Sequence, residues 1–107
     1  LRTIADVDRI RAELATAKRV VVVGAGYIGL EVAATCRKLG LEVDVLEMAD
    51  RPMNRVVAPE VSEFYAAEHA REGVRIHTQT LVSGFEASAA DASRVGAVHM
   101  LDGRSFP

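Results

Sequence analysis

Six residues near the start of the chain, Gly24-Ala25-Gly26-Tyr27-Ile28-Gly29, form a G-x-G-x-x-G. That spacing suits the grip of a phosphorylated ligand by main-chain groups. Gly24 serves a tight turn out of a strand, Gly26 has no Cβ to keep phosphate oxygens from the backbone, and Gly29 lets the following helix pack closely on the sheet. The helix N-terminus adds free N–H groups and a positive dipole end. No charged side chain occurs in the loop, and all six residues are candidate contacts for a dinucleotide. Glu47 follows Gly24 by 23 residues, close to the roughly 20 expected of an acid that accepts hydrogen bonds from the adenosine ribose. Its alternative is a solvated strand-end acid. A carboxylate about 4 Å from a 2′-phosphate charge opposes it by up to ~4 kcal/mol at an effective dielectric of ~20, and a third of that is about tenfold in affinity. Met48, not a cation, comes next, so NAD(H) is expected over NADP(H). Arg51, in the loop beyond, either stacks on the adenine, reaches a ribose oxygen or partly neutralises a 2′-phosphate, or is an ordinary surface arginine.

The elements around these residues suit that task. Val20 to Val23 are four consecutive valines, a run with no polar face, which predicts a central strand buried on both sides. Residues 27–39 read as a helix stopped by Gly40. Val43, Val45 and Leu46 make the next strand, which ends at Glu47. Pro59 opens another helix, running to about Glu72 and closed by Gly73, and Val74 and Ile76 begin a third strand. Ahead of all this, Thr3 with Asp6 signals a helix start, and Ile4, Val7, Ile10 and Leu14 recur at helical spacing. Residues 81–87 and 95–101 then read as strands, and Asp102-Gly103 as a tight turn into a further one. The fold class is α/β: a Rossmann-like parallel sheet of order 3-2-1 with helices on both faces and a β-hairpin or meander appendage. The expected organisation is a leading helix (1–17), a Rossmann core (18–78) and a partial β-meander (79–107).

The 107 residues suit one small domain. A formal net charge of -2 argues against a nucleic-acid partner, and no apolar run reaches ~18 residues, so no membrane span is expected. One cysteine permits no internal disulfide and fits a reducing compartment, so a cytoplasmic location is expected. His69, His77 and His99 lack ligand spacing, and no metal site is expected. Cys36 reads as a small buried hydrophobe. The chain opens on Leu1, and the slot beside the first strand that usually holds a fourth parallel strand has no candidate. A piece of a longer protein is therefore expected, with self-association possible through that unpaired edge.

From these residues outward, the chain resembles the NADH-binding domain of FAD-dependent pyridine nucleotide reductases. Residues 24–34 look typical of the wider superfamily. Arg51-Pro52-Met53 with Arg55, Pro59, Val61-Ser62, Phe64-Tyr65, His69 and Gly73-Val74 look like the ferredoxin reductase branch, the putidaredoxin and rubredoxin reductase group. The resemblance implies an oxidoreductase in which NADH passes a hydride to FAD and electrons leave singly to a small iron–sulfur or rubredoxin-type acceptor. It implies that Glu31 contacts the nicotinamide carboxamide and that Tyr27 covers the flavin-facing pocket. Glu31 also reads as a helix-dipole acid, and Tyr27 as a half-buried ring packed beside the loop.

The chain has no second glycine fingerprint for FAD and no C-x-x-C. FAD is thus expected on another domain of the parent chain, and this segment alone is expected to be inactive, with no catalytic acid or base of its own. Two alternatives share the same glycines: a non-enzymatic NAD(H)-sensing Rossmann module, and an FAD-binding half. The run Gly29-Leu30-Glu31 and the hairpin after Ile76 favour the reductase domain over the sensor.

Overall fold

A computed structural model of the chain describes residues 3–106. Helix α1 spans Ile4–Leu14, opened by a reciprocal cap in which the Asp6 amide donates to Thr3 Oγ1 and the Thr3 amide to Asp6 Oδ2. The apolar stripe read from the sequence is present but largely uncovered: Ile4 is 81% exposed, Val7 and Ile10 are exposed too, and only Leu14 meets the core. Strand β1 (Arg19–Val23) leads through the glycine turn into α2 (Tyr27–Lys38). Then come β2 (Glu42–Leu46), α3 (Pro59–Arg71, with proline in its first turn) and β3 (Arg75–His77). Both later helices stop at left-handed glycines, Gly40 and Gly73.

The three strands form a parallel sheet in which β2 lies between β1 and β3, with Val22 opposite Val45 and Asp44 opposite Arg75. Period two sorts the side chains. Val20, Val22, Val43, Val45 and Ile76 face α2, whose Leu30, Ala33 and Cys36 complete the main core with Leu41, Met53 and Val74. Each fully buried valine contributes roughly 1.5–3 kcal/mol. Burial also pushes the Cys36 thiol above its ordinary pKa.

The opposite face is covered differently from expectation. Helices line the Val20–Val22 side. Over Val21 and Leu46 sits the antiparallel meander of β4 (Val82–Ala87), β5 (Val95–Met100) and β6 (Ser105–Phe106), through Val98, Met100, Val82 and Phe106. The meander does this because Val98 and Met100 alternate onto one face, a strip as apolar as a helix stripe. β1 is accordingly half-buried, not sealed on both sides. It has a strand neighbour only in β2 among the described residues, and Val23 is 54% exposed.

Asp44 also points to the meander side, only 8% exposed. Arg75 donates to both its oxygens (2.8 and 2.9 Å), and His77 Nε2 lies 2.9 Å from Oδ1. The Arg75 hydrogen bonds, helped by His77, hold this carboxyl below the usual carboxylate range against the opposing effect of burial. The His77 ring packs on Phe106 at 4.9 Å. None of the described helices is long and apolar enough to cross a membrane, and no described cluster of His, Cys, Asp and Glu is placed to hold a metal ion.

Candidate dinucleotide-binding site

The glycine loop starts where β1 ends. The Gly24 amide donates to the Leu46 carbonyl (2.8 Å), so the ladder with β2 runs one residue past the strand before the chain turns. Gly24 turns with φ +103°, a conformation that a side chain strains. Gly26 is the N-cap of α2, and no side chain caps this end. The first helical amides therefore lack both an intrahelical acceptor and a side-chain cap, and no acid occupies the first turn to compete for them. A Cβ on Gly26 would meet no protein atom within 4 Å, whereas one on Gly29 would lie 2.0 Å from the Gly24 carbonyl oxygen. The two glycines thus do different jobs. Gly29 permits helix α2 to touch the turn, and Gly26 keeps the solvent side of the loop open to an approaching anion. On this ground the residues fit a diphosphate.

A cleft of about 650 Å³ opens on this loop, lined by Ala25, Gly26 and Tyr27 on one wall and Glu47, Met48 and Ala49 on another. Met53 to Val56, with Leu81 from the segment before β4, close it. Glu47 stands where the spacing placed it, just past β2, but its carboxylate is already engaged. Oε1 accepts from the Ala25 amide and Oε2 from the Ala49 amide, both at 2.9 Å.

Ala25 is fully buried, with its amide on Glu47 and its carbonyl accepting from Met53 N–H at 2.8 Å. Both its main-chain groups are used inside the protein, so the free donors of the loop begin at Gly26. For Arg51, read either as a ligand contact or as an ordinary surface arginine, the structure shows bonds within its own loop. Its guanidinium donates to the carbonyls of Val57 (2.9 Å) and Asn54 (3.2 Å) and does not line the cleft. It closes the loop that Ser62 also ties down through the Pro52 carbonyl, and the exposed Arg55 takes the place on the cleft wall. The signal for this exchange lay in the sequence only as a second basic residue four positions on.

Tyr27 and Ile28 are exposed on the rim, Tyr27 in the cleft lining. Glu31 is exposed one helical turn after Tyr27, on the same side of α2 and outside the cleft. Met48, Met53, Asn54, Val56 and Leu81 are cleft residues that sequence reasoning did not assign to the site. Met53 belongs to the Arg51-Pro52-Met53 run but had no site role, the others carry no motif, and only the fold brings Leu81 beside Met48.

Comparison with known proteins gives the family and the fold. The family model described as pyridine nucleotide-disulphide oxidoreductase matches residues 1–107. The chain is 49% identical over 107 residues to putidaredoxin reductase of Pseudomonas putida, covering all of this chain and 25% of that protein. It is 43% identical over 107 residues to the ferredoxin reductase subunit of a 5,5′-dehydrodivanillate O-demethylase of Sphingobium, covering 26% of it. In the covalent putidaredoxin reductase–putidaredoxin complex, a quarter of the matched chain superposes on the whole of this one with a TM-score of 0.92 at 48% identity. A ferredoxin reductase from Rhodopseudomonas palustris gives 0.91 at 43%, again with all of this chain and 26% of that one. The chain therefore spans about a quarter of the length of the relatives it matches. On the family match across its full length and the closeness of these reductases, the chain belongs to the pyridine nucleotide-disulphide oxidoreductase family.

Proposed function

We propose that the chain binds NAD(H), with the diphosphate on the main-chain amides of Gly26, Tyr27 and Ile28 and the adenosine in the cleft between Glu47 and Arg55. The observation that carries this reading is the uncapped start of α2 beside a glycine with open space where its Cβ would be. The helix dipole and two or three N–H donors supply the anion site without a cation. Glu47, fixed at the rim by two amides, keeps further lone pairs for ribose hydroxyls. Its charge opposes a 2′-phosphate, so NAD(H) is preferred over NADP(H). Tyr27 and Glu31 stand together on the open side of α2, the side on which the nicotinamide end emerges.

In the longer protein to which such a chain corresponds, FAD is held by other residues and supplies the electron-accepting ring. This chain's part is to bind and orient the dinucleotide, and no residue in it is assigned a proton to carry. The names of the relatives point to a ferredoxin-type iron–sulfur protein as the electron acceptor. The free edge of β1 is where the remainder of that protein adds a strand, or where a second copy pairs when the chain stands alone. Concentration-dependent dimerisation in sedimentation would support the latter.

Calorimetric titration with NADH and NADPH tests the assignment. Binding of NADH at least about tenfold tighter than NADPH is expected from the charge opposition. Equal binding of the two, or none of either, overturns it.

A further inference from the structure

We propose that Glu47 is a positioning residue whose carboxylate is a strut for the glycine loop, setting the amides of Gly26, Tyr27 and Ile28 for any dinucleotide. The proposal rests on the NAD(H) reading and deepens it, since a ribose contact and a charge effect alone would make Glu47 only a selector between two nucleotides.

The backbone of Glu47 is pinned by continuation of the β2–β3 ladder. Its amide donates to the His77 carbonyl (2.9 Å), its carbonyl accepts from Thr80 (2.9 Å), and two residues on the Ala49 carbonyl accepts from Gln79 (2.8 Å). From this fixed base the side chain reaches back across the sheet end to the Ala25 amide and folds onto the Ala49 amide. Ala25 is held from the other side by Met53, a buried residue in the left-handed region at φ 51°. Ala25 is thereby clamped between the acid and the following loop, and Gly26, the cap of α2, is its immediate neighbour. Hydrogen bonds from amides to an ionised oxygen belong to the stronger class.

A glutamine cannot replace this strut. It offers one acceptor oxygen and one NH₂ group, so one of the two amides would face a donor, although the side chain keeps its size and its capacity to bond a ribose hydroxyl. Charge and strut can therefore be separated. A pure charge filter predicts that neutralising Glu47 leaves NADH binding nearly intact and strengthens NADPH binding, whereas a strut predicts that NADH binding weakens and that for NADPH the same loss offsets the relief of charge.

The test is residue-resolved amide hydrogen exchange in the 107-residue chain, for the wild type, Glu47→Gln and Glu47→Ala, beside NADH and NADPH titrations of each. Expected are slow exchange at Ala25 and Ala49 in the wild type and acceleration by about tenfold or more in both variants. Val45 in the core should keep its rate, which shows that the variants are folded. Affinity for NADH should fall, by about tenfold for Glu47→Ala, while NADPH affinity changes little because relief of the charge opposition offsets the lost strut. Unprotected Ala25 and Ala49 amides in the wild type overturn the strut without recourse to any variant. So do unchanged rates in Glu47→Gln, or NADH affinity that stays within about twofold of wild type in both variants. If the wild type binds neither nucleotide, the NAD(H) reading fails, while the exchange rates still decide whether Glu47 sets the loop.

Discussion

Substituting Gly29 by alanine places a methyl carbon 2.0 Å from the Gly24 carbonyl oxygen, 3.1 Å from its carbon and 3.4 Å from Val22 Cγ1. The first two obstacles are main chain, which cannot swing aside as a side chain does. Relief requires α2 to retreat from the end of β1 by about 1 Å, opening the contact of Leu30 and Ala33 with Val22 and Val45. Overpacking of this kind costs about 1–3 kcal/mol. With a urea dependence of about 1–3 kcal/mol per molar for a small domain, the unfolding midpoint should fall by roughly 1 M. The same retreat moves the amides of Tyr27 and Ile28 away from the position that meets the ligand. Loss of one hydrogen bond to a charged group, about 1.5–3 kcal/mol, weakens NADH by tenfold or more. Circular dichroism in urea and calorimetry with NADH read the two effects. A midpoint within about 0.2 M of wild type together with unchanged affinity would refute the close contact between α2 and the turn.

Gly26→Ala should behave oppositely. With φ -85° and ψ -169° and no atom within 4 Å of the new methyl, stability should stay within about 0.5 kcal/mol in urea, while NADH affinity drops at least about tenfold because the methyl occupies the phosphate side. Arg51→Ala should lower stability by about 1 kcal/mol through two lost bonds to carbonyls. Arg55→Ala should leave stability alone and weaken NADH a few-fold, a contrast read by the same two assays. Asp44 has a folded pKa below its unfolded value of about 3.9. Its contribution to stability is therefore complete above that pH and drains away as pH falls through the lower folded value. Arg75→Ala should flatten this part of the acid-unfolding curve, measured as urea midpoints from pH 6 down to pH 2.

Much of the frame was legible because local signals agreed with one another. The four valines, the glycine spacing, Pro59 and the stops at Gly40 and Gly73 each mark an element, and β1, α2, β2 and α3 begin and end close to those marks. What was less legible depends on long-range contact. The valine run implies burial on both sides, but burial also needs lateral neighbours, and among the described residues β1 has only β2. Asp44 lies inside the strand read from Val43, Val45 and Leu46 and carried no reading of its own. Its partners Arg75 and His77 become visible only when the parallel register sets Asp44 opposite Arg75. In the site, side-chain type announced Glu47 but not its bonds to Ala25 and Ala49, which depend on how tightly the loop returns. Arg51 and Arg55 share a loop and a charge, and the hydrogen bonds to Asn54 and Val57 decide which one turns inward.

The most direct measurement is a titration of the ¹⁵N-labelled chain with NADH, followed by the amide shifts of each residue. Grip by the opening of α2 predicts the largest changes at Gly26, Tyr27 and Ile28, with smaller ones at Met48, Arg55 and Leu81 along the cleft. Shifts concentrated elsewhere, or a loop that stays silent while NADH binds, would contradict it.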